Sequence, residues 1–199
     1  MVVTEDPPAK RRLSKQDWAE AALAAIADGG IGAVAIEPIA ARLATTKGSF
    51  YWHFANREAL LEAALAEWER RHTTEVLVGV DAVAGEGPLM QLRALITRVI
   101  DDAERDPIGL ALLSAASHPG VAKAVERVTG TRLAAIAALF VHLGLAPEEA
   151  RVRALVAYAA YLGHSQLAHS TPGVLPQTKK GRRAYLDHAL AVLTAPPRA

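Results

Sequence analysis

Within residues 45–54, "TTKGSFYWHF", a lysine, a glycine and a serine are followed at once by Tyr51, Trp52, His53 and Phe54. A core helix has no use for Lys47, Gly48 and Ser49, and a surface helix does not expose Tyr51 and Trp52 to water without a reason. At 100° per residue Phe50 and Phe54 fall on one side of a helix, while Gly48, Ser49 and Trp52 fall opposite and Tyr51 and His53 flank them. Such a helix has an aromatic anchor and an outward face. Ser49 and Trp52 suit base edges and thymine methyls, and Lys47, Tyr51 and His53 suit phosphates. Gly48 carries no side chain, so a groove can come close.

Other residue sets that do chemistry are missing. The histidines at 72, 118, 142, 164, 169 and 188 include no i, i+4 pair with a glutamate between them. His164 and His169, five apart, diverge on a helix. No Gly-x-Ser-x-Gly elbow and no phosphate loop occurs, and there is no cysteine for thiol chemistry, disulfides or a cysteine-rich zinc site. The expectation is a chain with no catalytic set, no metal and no cofactor. Instead, Trp68, Arg98, His118, Phe140, Tyr158, Tyr161 and His164 are candidate points in an otherwise apolar ligand cavity. Apolar positions such as Leu92, Ile96, Val99, Leu112, Val125 and Leu133 predict that it is largely hydrophobic.

The elements that must carry these residues are helices. Ser14 and Asp17 form a capping signal, Trp18, Ala22 and Ile26 recur at helical spacing, and Asp28-Gly29-Gly30 ends the first helix. "IEPIAARL" is a second helix with Pro38 in its first turn. Ala44 and Thr45 make a short turn, Thr46 caps a third helix over about 46–53, and Asn56 caps a fourth from Arg57. Further helices are expected at 89–105, 107–117, 120–143, 147–169 and 182–194, about nine in all, bounded by Pro and Gly. No segment alternates with period two, so the fold class is all-α.

Length and charge bound the rest. The 199 residues suffice for a sizeable core, with 51% hydrophobic and 22% charged residues and a formal net charge of +1. Residues 1–60 hold seven Lys/Arg and seven Asp/Glu, so any electrostatic footprint on nucleic acid is local. Residues 1–12, with Lys10, Arg11 and Arg12 behind two prolines, read as a flexible basic arm, and Lys15 comes close behind. An N-terminus bearing acids and prolines, and the lack of about 18 uninterrupted apolar residues, imply neither a secretory signal nor a membrane span, and a cytoplasmic location is expected.

"ARLATTKGSFYWHFANREALLEAAL" resembles the recognition-helix region of TetR-family transcriptional regulators. Lys47, Gly48, Tyr51, His53 and Phe54 match the family pattern directly, and Thr46, Ser49, Phe50 and Trp52 match in kind. "NREALL" fits the family's usual start of the fourth helix. The likeness covers about residues 12–72. It departs at Ala44, where the family has a turn glycine, and at Ala35, where it has a threonine cap. A positive φ at Ala44 would cost on the order of 1 kcal/mol, and the missing cap about as much.

The resemblance implies a helix-turn-helix DNA-binding domain at 13–58 and a helical ligand-binding and dimerisation domain at 59–199. DNA contacts would come from Lys15, Thr45, Thr46, Lys47, Gly48, Ser49, Tyr51, Trp52, His53 and Arg57. A homodimer would form through the last two long helices, at Ala154, Ala157, Tyr158, Tyr161, Tyr185, Ala189 and Leu193. The implied function is a repressor that holds a palindromic double-stranded operator and is released by a small hydrophobic effector. The alternative is a helical ligand-binding or protein-interaction module that does not bind DNA.

Overall fold

The computed structural model describes residues 12–196, and every regular element among them is helical. The elements are α1 (Lys15–Gly29), α2 (Ile36–Arg42), α3 (Lys47–Phe50), α4 (Arg57–Glu69), α5 (Glu75–Asp81), α6 (Pro88–Arg105), α7 (Ile108–Ser114), α8 (Pro119–His142), α9 (Pro147–Ser170) and α10 (Lys179–Thr194). A π-helical turn, Arg70–Thr74, joins α4 to α5 without a break, so the described residues form nine helical rods. The residues after Arg71, unassigned from sequence, are thus the second half of the fourth rod. The basic arm lies outside the described residues except for Arg12.

The caps read from sequence are formed. The Ser14 hydroxyl accepts from the Asp17 amide at 3.2 Å, and the Asp17 carboxylate accepts from the Ser14 amide at 2.7 Å. Thr46 Oγ1 accepts from the Ser49 amide at 3.3 Å, and Asn56 Oδ1 from that of Ala59 at 2.9 Å. Gly30, at φ 70°, ends α1 in a conformation that costs glycine little. Ala35 precedes α2 with no side-chain cap, as its methyl group dictates.

Two buried apolar clusters organise the molecule. The first joins Trp18, Ala22 and Ile26 of α1, Ile39 of α2, Phe50, Phe54 and α4 residues Leu60, Leu61, Ala64, Leu65 and Trp68. It extends past residue 58 into Ile108 and Leu112 of α7 and Val121, Ala124 and Val128 of α8. The second joins Val76 and Val80 of α5, Leu92 and Leu95 of α6, Leu139 and Phe140 of α8, Ala150 and Ala154 of α9, and Leu190 of α10. The fourth rod runs from one cluster into the other, and its π turn lies at the crossing.

An ion network fastens that crossing. Glu67, its side chain almost wholly buried, accepts two bonds from Arg70, at 2.8 and 2.6 Å, and a third from Arg71. Arg71 also reaches Glu20 of α1 at 2.8 Å. The arginines, Arg70 foremost, hold the Glu67 carboxyl down to about 2.

Candidate nucleic-acid interface and effector cavity

The turn between α2 and α3 is tight. Thr45 N–H donates to the Ala40 carbonyl at 2.9 Å and Ala44 N–H to that of Ala41 at 3.0 Å. Ala44 has φ 49°, the one positive φ of a non-glycine residue among the described residues. The turn therefore demands what the sequence left conditional, a left-handed residue where a methyl group is strained.

Beyond it, α3 proper spans only Lys47–Phe50, shorter than the expected 46–53, and Tyr51–His53 form a turn. Winding nevertheless continues, because His53 and Phe54 both donate to the Phe50 carbonyl, at 2.9 and 3.0 Å. Phe50 is fully buried and meets Trp18 edge to face, and it also stacks on Phe54 with centroids 5.6 Å apart. On the other side Trp52 is 85% exposed and Tyr51 55%. Lys47, Gly48 and Thr46 are exposed, while Ser49, His53 and Thr45 are half-buried. A Cβ added at Gly48 would meet only Thr46 Oγ1, at an ordinary 3.6 Å. Nothing among the described residues requires glycine there. A shallow depression beside this face is lined by Arg12, Leu13, Leu43, Ala44, Thr45, Ser49, Trp52 and His53.

Two of the expected DNA contacts are engaged within the chain. Lys47 Nζ lies 2.9 Å from Glu37 Oε1 on α2, an exposed pair that a phosphate can replace. Arg57 is held more firmly. Its Nε and one terminal nitrogen donate to the carbonyls of Val34 and Ile31, each at 2.6 Å, so it ties the loop before α2 to α4. Those carbonyls lie more than twenty residues upstream, and no local pattern points to them. Lys15 is exposed, with Nζ 6.0 Å above the Phe54 ring.

Between the C-terminal helices lies a cavity of about 110 Å³. Trp68, Tyr158, Tyr161 and His164 line it as expected, amid apolar Val76, Ile96, Val99 and Ile136. Arg98, His118 and Phe140 do not. Arg98 pairs with Asp102 on its own helix, His118 lies 3.7 Å from Glu58 beside α4, and Phe140 is fully buried in the second cluster. The sequence reading missed His72, Thr73, Asp106, Arg132, Ser165 and Tyr185 in the walls. Burial pushes His72 down and so keeps it neutral near pH 7, and burial pushes Tyr161 up. His164 is held between Glu104 Oε1 at 3.0 Å and the Tyr185 hydroxyl at 3.2 Å. No group of three metal-ligating side chains occurs among the described residues.

The residues expected at a dimer interface face inward. Ala154 and Tyr158 are buried within the chain, and Ala157, Tyr161, Tyr185, Ala189 and Leu193 line the cavity. Because residues 154–163 of α9 are small or apolar all round, their pattern does not say which side meets the chain's own core. The outward side carries Val152, Leu155, Val156 and Leu167 at helical spacing, with Val192 of α10, each at least 40% exposed. No helix among the described residues is long and apolar enough to cross a membrane.

Residues 19–64 match the family profile described as bacterial regulatory proteins, tetR family. No curated protein sequence matches the chain significantly. Among solved structures, a transcriptional regulator from Rhodococcus sp. Rha1 is 22% identical with a TM-score of 0.72, covering 92% of this chain and 94% of that one. The regulator FadR from Bacillus subtilis, crystallised with stearoyl-CoA, is 16% identical with a TM-score of 0.65 over 92% and 98% of the two chains. BioQ, crystallised with its double-stranded DNA operator, is 21% identical with a TM-score of 0.50 over 92% and 99%. At such identities these structures establish a shared fold.

Proposed function

We propose that this chain, which belongs to the TetR family of bacterial DNA-binding transcription regulators, acts as a homodimeric repressor released from a palindromic operator by a small hydrophobic effector. The observation that carries the reading is the two-sided α3 segment, with Phe50 sunk in the core and Trp52 and Tyr51 held in water. Residues 13–58 supply the DNA-binding part. Ser49 and Trp52 meet base edges, Gly48 lets the groove approach, and Lys47, Thr46, Tyr51, His53, Thr45 and Lys15 serve the backbone. BioQ in complex with its operator supports DNA as the partner of this fold, and FadR with stearoyl-CoA supports a ligand for it.

A dimer pairs two copies through the outward sides of α9 and α10, where Val152, Val156 and Val192 are exposed among the described residues. The effector occupies the cavity whose wall includes Trp68, His72 and Thr73 of the fourth rod. Since that rod also carries Leu60 and Leu61 in the buried cluster that holds Phe50, a ligand that shifts it changes the separation of the two α3 segments in the dimer. A ligand favouring the released state about a hundredfold supplies roughly 2.7 kcal/mol, enough to reverse operator occupancy.

The test is a gel shift with DNA flanking the protein's own gene, repeated with hydrophobic compounds. A retarded band that a compound dissolves is expected. No retardation on any flanking sequence would favour a ligand-binding or protein-interaction module instead.

A further inference from the structure

We propose that the effector is a small organic monocarboxylate whose anionic end is received by Arg132. This rests on the reading of the cavity as the effector site and adds the chemical class of its occupant. Arg132 of α8 lines the cavity, with its guanidinium 5.4 Å from the centroid of the Trp68 ring. Its Nε donates to Thr73 Oγ1 at 3.0 Å and a terminal nitrogen to the His72 carbonyl at 2.9 Å, and both acceptors are uncharged. Neighbouring arginines all hold acids: Arg98 has Asp102, Arg127 has Glu69, Arg153 has Glu149, and Arg182 has Asp101 and Glu104. Arg132 has no carboxylate within 4.0 Å among the described residues.

The acids in the cavity wall are committed elsewhere. Asp102 is taken by Arg98. Asp106 accepts from the Ile108 amide at 2.9 Å, and its other oxygen lies 3.6 Å from His72 Nε2. His72 is kept neutral by burial, to which the Arg132 charge adds. Among the charged residues of the wall, Arg132 has no carboxylate partner, while Asp106 has only the Ile108 amide and the neutral His72. A half-buried guanidinium lacking a counter-charge gains strongly from a carboxylate that brings its own apolar body.

The body must be small. A cavity of about 110 Å³ is comparable to the ~150 Å³ void that holds benzene. Val99, Ile96, Ile136 and Val76 suit a single aromatic ring or a short alkyl chain. Binding also reaches the rod, because the two groups from which a carboxylate would draw the guanidinium, the His72 carbonyl and the Thr73 hydroxyl, belong to the π turn. A π turn holds one residue more than an α turn, so loosening it alters the register of the rod between the two cores.

The test uses the full chain at pH 7 with two matched pairs, benzoate against benzamide and hexanoate against hexanamide. Affinity is read by calorimetry and release by operator gel shift. We expect the acids to bind at least tenfold more tightly than the amides and to raise the melting temperature. Arg132→Gln should erase that preference, Arg132→Lys should keep part of it, and Arg98→Gln should leave it intact. Equal binding of acid and amide, or a preference that survives Arg132→Gln, overturns the inference while ligand-gated repression stands. Acids that bind through Arg132 without releasing the operator support the inference and sink the gating. If no acid or amide binds at all, both fall.

Discussion

Trp18 and Phe50 meet edge to face, with ring centroids 5.4 Å apart and planes at 69°. Both are fully buried, so this contact fixes α3 to α1. Phe50→Ala should cost about 3–5 kcal/mol, the usual loss for an emptied aromatic site. Operator binding should fall with it even at temperatures where the variant is folded. Chemical denaturation and gel shift together check this. Intact DNA affinity in a folded variant would mean that Phe50 does not position α3.

Ala44 tests the strain in the turn. Glycine at φ 49° relieves about 1 kcal/mol and returns part of it through a more flexible unfolded chain. Ala44→Gly should raise the denaturation midpoint slightly, by a net ~0.5 kcal/mol. A loss of stability would show that the left-handed geometry is not strained here.

If Lys47 meets phosphate as proposed, Glu37 competes for it. Removing its charge by Glu37→Gln frees the ammonium 2.9 Å away, and affinity should rise several-fold on every DNA sequence alike. Lys47→Ala should weaken binding uniformly and reduce the salt slope by about one. Titrations on operator and random DNA at several salt concentrations distinguish this from a base-specific effect.

Glu67 sets an acid limit on stability. Its carboxyl is lowered from 4.5 to about 2 in the folded protein, first by Arg70. A depressed carboxylate contributes stability that is present above its unfolded value and lost as pH falls through its folded value. That window lies between about pH 4.5 and pH 2. Glu67→Gln should be less stable at pH 7 by on the order of 2 kcal/mol, with the two proteins converging near pH 2. Melting curves across this range check it, and a pH-independent difference would contradict it.

The outward side of α9 makes an assembly prediction. Val156→Glu puts a charge on an apolar stripe that nothing among the described residues covers. The native protein should sediment near twice its 21.1 kDa mass, and the variant near 21.1 kDa with little loss of helix content. A variant that stays dimeric would place the interface elsewhere.

Legibility in the sequence tracks how local each signal is. The Ser14–Asp17 box, the Thr46 and Asn56 caps and the two-sided α3 segment depend on residues a few positions apart, and all are present. The strain at Ala44 was legible only conditionally, through the turn glycine that the family resemblance implies there. The second half of the fourth rod was not, because its π turn breaks the 3.6-residue period just where Arg70–Thr74 interrupts the apolar pattern. The role of Arg57 depends on carbonyls 23 and 26 residues upstream. The inward turn of Tyr158 and Tyr161 could not be read from residues 154–163, where small and apolar residues occupy every side of the helix. Arg132 escaped notice for a related reason: a single arginine in "TRLAAIAALF" reads as a surface residue beside a core stripe, and only the fold sets it against Trp68.

The three tryptophans give the molecule its own optical readout. Trp18 and Trp68 are buried, whereas Trp52 stands 85% exposed on α3. Iodide in the solvent reaches the exposed indole and leaves the other two almost untouched. The quenchable part of the emission therefore reports whether α3 is occupied. The shielded part includes Trp68, whose ring faces the Arg132 guanidinium in the cavity wall, so it answers to what binds there. One unlabelled sample carries both signals, an indole at each end of the path between the two sites.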